Sequence, residues 1–422
     1  MGPIPMVFVS DIEIMKRYFV KNAESFSHRW RNFITDSMLD GFNGVVQIDG
    51  DKWREQRRFS LHVLRDFGVG RALMEDKIMH EVDILIKHLS SFDSQAIGMT
   101  QPIAVCVGNI INNMLFGKTF EHTDEKFLKM QKMLDKQSQI VLNPIMGLYI
   151  LAPWTTQIPA INWYWKDLME IRDTLWGILA EQIDVPYPYA EPTDFTYAYL
   201  NEIYDRKHGD KDMGYFDEKQ LQMLLLDLFF AGMETTGNNT KWGILMLMTH
   251  PEAAKKAQEE LDQLPGRIVL ADKPHLTYVN ALINEIQRTA NILPINLLRA
   301  VAEDIEIDGY HFPAGSMVLP QISITMNDPE NFEDPEKFLP ERFIDENNNL
   351  KKVETLVPFS LGKRQCLGES LARAELFLIF ANLLRNFDFM CSDPKNPPSL
   401  QRVYGLTVSP KPYLCVVKKR VI

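Results

Sequence analysis

Apolar residues recur every three to four positions along most of the chain, the repeat expected of helices with one buried face. Asp11 opens such a run over 11–20 and has the side chain to cap its first turn. The same period governs 75–89, 125–134 and 251–264; in the last, Pro251 suits the first turn and Pro265-Gly266 the stop. The stretches 221–233 and 375–384 are almost continuously apolar and predict buried core helices, the first within a helical run from about 219 to 249. Strand-like alternation is confined to 5–10, 304–312, 316–322 and 412–418, and Asp308-Gly309 predicts a hairpin turn. The expected fold class is therefore mainly α with small β-sheets. A proline-rich connector at 184–194 and a charged loop at 205–218 separate no distinct composition regimes, so 1–422 reads as a single domain without repeats.

Composition narrows the function. The 422 residues carry 45 Lys plus Arg against 56 Asp plus Glu, a net charge of −11, with no basic tract. A partner built of phosphates, nucleic acid above all, is not expected. Four scattered cysteines (Cys106, Cys366, Cys391, Cys415) are too few for a disulfide framework, and no CxxC, HExxH or Walker-type loop is present. No apolar run reaches the roughly 18–20 residues that cross a bilayer. The first residues also lack the basic and apolar regions of a signal peptide.

The densest local signal is FSLGKRQCLG, Phe359 to Gly368, directly before an apolar helix. Gly362 and Gly368 suit a sharp turn beside a large flat ligand. A thiolate at Cys366 is favoured by the free N–H groups of the following helix. Arg364 can neutralise a carboxylate on that ligand, and Phe359 can shield the sulfur from water. A haem held by an axial thiolate meets all of these requirements. A buried structural cysteine is the bland alternative, and it leaves five residue types at fixed spacing without a reason.

The loop resembles the cysteine loop of the cytochrome P-450 superfamily, and the resemblance extends through other motifs in order. AGMETT (231–236) is similar to the family's distal-helix signature: Ala231 and Gly232 allow close approach to the haem, Thr235 handles oxygen and Glu234 is its acid partner in proton delivery. Glu285 and Arg288 form an ExxR pair and Arg342 lies in a PERF segment; by resemblance the three make a buried structural network. Glu55 and Arg58 satisfy the same ExxR pattern, so order along the chain is what favours Glu285. Trp53 and Arg57, one helical turn apart, resemble donors to a haem propionate, with Arg364 and Arg299 as further partners. Val46, Phe230, Leu297, Leu298 and Leu406 are, by resemblance, the lining of an apolar substrate pocket.

From residue 49 onward the chain is similar to the animal microsomal, drug-metabolising branch. The fold implied places haem b between a long distal helix and a proximal cysteine loop and helix, with Cys366 as axial ligand. The activity implied is insertion of one atom of dioxygen into an apolar small molecule (a xenobiotic, fatty acid or steroid-like compound). Electrons would come from NADPH through a flavoprotein cytochrome reductase docking beside Lys363, with a cytochrome b-type donor as an alternative. The location implied is the cytoplasmic face of the endoplasmic reticulum. The segment 143–165, with Trp154, Trp163, Tyr164 and Trp165, would dip into that membrane.

The resemblance departs at the start. Residues 4–9 already resemble the second strand of the first sheet, so the anchor, first helix and first strand are expected to be missing and apolar side chains beside 4–9 to be uncovered. Two other readings stay open: a haem-thiolate isomerase or dehydratase, which usually lacks the Glu-Thr pair, and an N-terminally truncated haem-binding product without turnover. A cysteine-nucleophile hydrolase is disfavoured because no histidine adjoins the loop.

Overall fold

The computed structural model describes residues 6–66, 72–92, 94–121, 123–183 and 193–421. Most of the connector at 184–194 lies outside them, as do residues 4 and 5.

Each helix expected from the apolar period is present. Asp11 caps Ile12–Lys16 by accepting the Ile14 N–H at 2.8 Å, and the chain continues into a π-helical turn, Arg17–Lys21. The other periodic stretches fall within Ala72–Ser90, Glu125–Ile140 and Pro251–Leu261. The loop expected at 205–218 is shorter than its charge suggested. Residues 205–208 are the last turn of Phe195–His208, and Glu218 already begins the next helix. There Arg206 binds Glu202 at 2.7 Å and Glu55 at 3.0 Å, so the charges belong to a helix face rather than to a break.

The sheets are small. Met6–Val9 pairs in parallel with Met317–Pro320, which pairs antiparallel with Arg299–Ala300, and that in turn with His28–Arg29. Among the described residues Met6–Val9 is thus an edge strand, and its Phe8 is 53 % exposed, as the sequence led one to expect. Asp308 and Gly309 take the left-handed conformation (φ 53° and 78°) and close the hairpin of Ile305–Ile307 with Tyr310–Phe312. A third sheet joins Ala96–Gly98, Leu414–Lys419 and Phe387–Cys391. His28–Arg29, Arg299–Ala300 and Ala96–Gly98, two or three residues long and without a turn signal between them, carry too little alternation to be read from sequence.

The core is built around the helix Glu218–Thr249, capped by Asp217, whose carboxylate accepts the Gln220 N–H at 2.7 Å. It packs on Thr100–Phe116 and on Glu369–Asn386. Small residues set both crossings. A Cβ on Gly232 would stand 2.6 Å from Ile111 Cδ1, and one on Gly243 would overlap the Phe380 ring. This corrects the sequence-based role of Gly232, which faces a neighbouring helix because close packing demands it.

Candidate active site

The cysteine loop is a series of tight turns. Ser360 N–H donates to the Val357 carbonyl at 3.0 Å, Gln365 N–H to Gly362 at 2.9 Å, and Cys366 N–H to Phe359 at 3.0 Å. Gly362 has φ 77°, and a Cβ there would run into the Phe19 carbonyl of the π-helical turn. Its glycine is therefore required by the protein's own backbone. Gly368 has φ −92°, begins the helix Glu369–Asn386, and has open space where a Cβ would stand. Phe359 lies under Arg373, whose guanidinium carbon is 4.7 Å from the ring centre.

Burial pushes the Cys366 thiol pKa up; the Gly368 N–H, Arg57 and Arg373 pull it down, and Glu369 adds to the rise. The residue is nevertheless accessible at its surface. Protein surrounds the thiol closely enough to desolvate it without covering the residue.

Four arginines gather beside this loop. Arg29, Arg299 and Arg364 are buried, and Arg57 is partly so. Arg364 donates to the carbonyls of Ser27 at 2.7 Å and Ile48 at 2.6 Å, and its guanidinium carbon lies 3.9 Å from the centre of the Trp53 ring. Arg57 donates to the Gln365 carbonyl at 2.7 Å, one residue before the cysteine. Arg299 donates to Ser360 Oγ at 3.2 Å and Leu361 O at 3.1 Å, and Arg29 to Val46 O at 2.9 Å. Among the described residues none of the four forms an ion pair. Arg299 Nε and Arg364 Nη1 are buried without a partner.

Burial, reinforced by the neighbouring guanidinium groups, lowers the pKa of Arg364 to about 8, of Arg299 to about 9 and of Arg29 to about 10. For Arg29 and Arg364, Asp49 (and for Arg29 also Asp227) offsets this only in part, and a buried charge without a close counter-ion costs several kcal/mol. The donor set calls for an anionic group, and the two propionates of a haem b meet that demand.

Trp53, Arg57, Arg299 and Arg364 are thus brought together with the loop of Cys366. Arg29 was missed from sequence because it lies in no motif. It also donates to the carbonyls of Leu297 at 3.2 Å and Leu298 at 3.4 Å, so it ties that segment to Val46. Asp227 secures the same segment, its Oδ2 accepting the N–H groups of Val45 at 2.7 Å and Val46 at 2.9 Å. Although it retains some accessible surface, the surrounding protein raises its pKa to about 6.

On the long helix, Ala231 is exposed in the middle of a largely buried element, and Thr235, one turn on, donates its hydroxyl to the Ala231 carbonyl at 2.7 Å. Phe230 and Leu406 are partly buried. Glu234 faces another way. Its Oε1 accepts from Ser138 Oγ and Thr407 Oγ1, both at 2.7 Å, and burial raises its pKa. Glu234 and Thr235 make no hydrogen bond to each other, because consecutive helical residues project about 100° apart.

The three-residue network is assembled. Arg288 holds Glu285 through Nε and Nη2, at 2.7 and 2.8 Å, and Arg342 reaches the same carboxylate at 3.2 Å. Glu285 and Arg288 are fully buried. The competing pair is not a pair: Glu55 binds Arg206 and the Tyr215 N–H.

At 143–165 the aromatic residues divide. Trp154 is 68 % and Trp163 52 % exposed, beside exposed Leu142, Leu148 and Leu151. Trp165 instead stacks on Phe33, 4.9 Å between ring centres. No helix among the described residues is long and apolar enough to cross a membrane.

The family model for cytochrome P450 matches residues 1–417. The chain belongs to the cytochrome P450 family. It is 34 % identical to cytochrome P450 2D9 of Mus musculus, over 98 % of this chain and 83 % of that one. It is 34 % identical to cytochrome P450 2J2 of Homo sapiens (99 % and 83 %), and 33 % identical to cytochrome P450 2H2 of Gallus gallus (98 % and 84 %). As a P450 it is a monooxygenase whose cofactor is haem b with an axial cysteine thiolate.

Proposed function

We propose that this P450 oxidises apolar small organic molecules of the xenobiotic, fatty acid or steroid-like kind, with Cys366 as the axial ligand. The observation that carries the site assignment is the cluster of Arg29, Arg57, Arg299 and Arg364, free of ion pairs, packed against the loop that presents Cys366. Bound haem supplies the activation of dioxygen, which delivers one oxygen atom to substrate and the other to water.

The protein's part is placement and proton control. Arg299 Nε and Arg364 Nη1 are free to donate to carboxylates, and Trp53 stiffens Arg364 by stacking. Ala231 leaves room on the distal side, and the Thr235 hydroxyl is a local proton carrier there. Glu234 acts from one position away as a proton store supported by Ser138 and Thr407. Val46, Phe230, Leu297, Leu298 and Leu406, mostly apolar and partly buried, line the substrate's path.

Electrons from NADPH arrive through a flavoprotein reductase or a cytochrome b-type donor. Lys363, half-exposed and paired with Glu24, belongs to the docking face. The outward Trp154 and Trp163 with the neighbouring leucines rest the enzyme on the cytoplasmic face of the endoplasmic reticulum. The reduced carbon-monoxide spectrum tests ligation: a red-shifted thiolate Soret band is expected, lost in Cys366→Ser. A band that survives that substitution overturns the assignment. Product formation without added reductase and NADPH would favour an isomerase or dehydratase instead.

A further inference from the structure

Two cysteines that the haem chemistry does not use stand opposite each other. Phe387–Cys391 and Leu414–Lys419 are antiparallel neighbours, and their register pairs Cys391 directly with Cys415. Directly opposed residues on such strands project to the same face with Cα atoms about 4.5–5.5 Å apart. That separation lies within the roughly 4.4–6.8 Å that a disulfide spans. The two thiols differ in access. Cys391 is partly exposed, its sulfur 3.6 Å from the Met248 carbonyl, while Cys415 is fully buried.

We propose that Cys391 and Cys415 form an oxidisable dithiol that closes to a cross-strand disulfide, with a glutathione-type disulfide as oxidant. The loop so closed, residues 392–414, carries Leu406 and Thr407. Both of these are tied to the helix Glu125–Ile140 or to Glu234: the Leu406 N–H donates to Ser138 O at 2.9 Å, and Thr407 Oγ1 to Glu234. The closure is therefore a redox staple at the foot of the segment that meets the distal helix.

The exchange balances in two steps. Cys391, the accessible thiol, loses its proton and attacks one sulfur of the oxidant, forming a mixed disulfide and releasing one reduced glutathione. Cys415 then loses its proton, its sulfur displaces the second glutathione from Cys391, and that thiol leaves reduced. Two protein thiols are oxidised by two electrons, and one disulfide becomes two thiols. Burial raises both thiols, Cys415 to about 12, so loss of the buried proton is what holds back the second step.

The test uses the haem-loaded full chain, reduced and then incubated with oxidised glutathione, blocked with an alkylating reagent and digested without reductant. The expected product is a peptide pair joining 387–391 to 414–419, two hydrogens lighter than the separate peptides and restored to them by dithiothreitol. It should be absent in Cys391→Ser and retained in Cys106→Ser. Oxidation should also raise the thermal midpoint of unfolding, reversibly, because the unfolded chain loses freedom. Recovery of Cys391 only as its glutathione adduct or alkylated form, with Cys415 always alkylated, overturns the dithiol. A cross-link that leaves the midpoint unchanged or lowers it overturns the staple.

Discussion

Glu234 and Thr235 are neighbours in sequence and bond in different directions. The carboxylate is held by Ser138 and Thr407, and the hydroxyl by the carbonyl of Ala231 one turn back. On the proposed reading, proton delivery is divided between a buried acid and a hydroxyl one residue further along the helix. Thr235→Ala should keep the haem and its thiolate spectrum while diverting a larger share of NADPH electrons to hydrogen peroxide. Ser138→Ala should lower turnover by a smaller factor, since Glu234 retains Thr407. Measuring peroxide per NADPH consumed checks both, and unchanged coupling in Thr235→Ala would remove the hydroxyl from the relay.

The arginine cluster makes a prediction about the cofactor alone. Arg299→Gln or Arg364→Gln removes a donor that has no partner in the protein. A charge-assisted hydrogen bond is worth about 1.5–3 kcal/mol. Haem transfer to an acceptor globin should therefore be roughly 10–100-fold faster in each variant, with Arg29→Gln affected as well. Transfer at the parent rate in all three would exclude these side chains from propionate binding.

Glycines that read alike in the sequence are expected to behave differently. Gly362→Ala places a Cβ into the Phe19 carbonyl at a φ of 77° and should cost about 3–5 kcal/mol, abolishing haem loading in most of the expressed protein. Gly368→Ala meets nothing within 4 Å at an ordinary φ and should be tolerated within ~1 kcal/mol. Gly232→Ala, pressed on Ile111, should fall between them at about 1–3 kcal/mol. Thermal unfolding of the three variants orders them directly.

The sequence made the helices legible because their apolar period is long and regular, and it made the site legible where residues are contiguous, as in 359–368. ExxR alone was ambiguous. Packing against Leu339, whose N–H donates to Glu285 Oε1 at 2.9 Å, and against Arg342 is what separates Glu285 from Glu55. Arg29 was illegible for a physical reason: its meaning arises only when segments around 29, 57, 299 and 364 converge. Gly362 makes the sharp turn the sequence predicted, but its contact with Phe19, like that of Gly232 with Ile111, was illegible because both are made across the fold. Glu285→Gln should destabilise by about 3–5 kcal/mol, since it leaves the buried Arg288 without its counter-charge.

Glu375, on the helix that follows the cysteine loop, adds a pH dependence. It is buried, accepts the Thr236 hydroxyl at 2.9 Å, and leaves its other oxygen without a partner. Burial raises its pKa from 4.5 to about 8, with the Thr236 bond opposing the rise. The folded protein therefore holds this proton over a range where the unfolded chain has released it. A raised folded pKa contributes stability that is complete below about pH 4.5 and is lost as pH climbs through about 8. Glu375→Gln, which cannot ionise, should flatten the decline of the thermal midpoint between those values while leaving the thiolate spectrum intact. If parent and variant decline in parallel across that interval, Glu375 is not the group whose proton the fold retains.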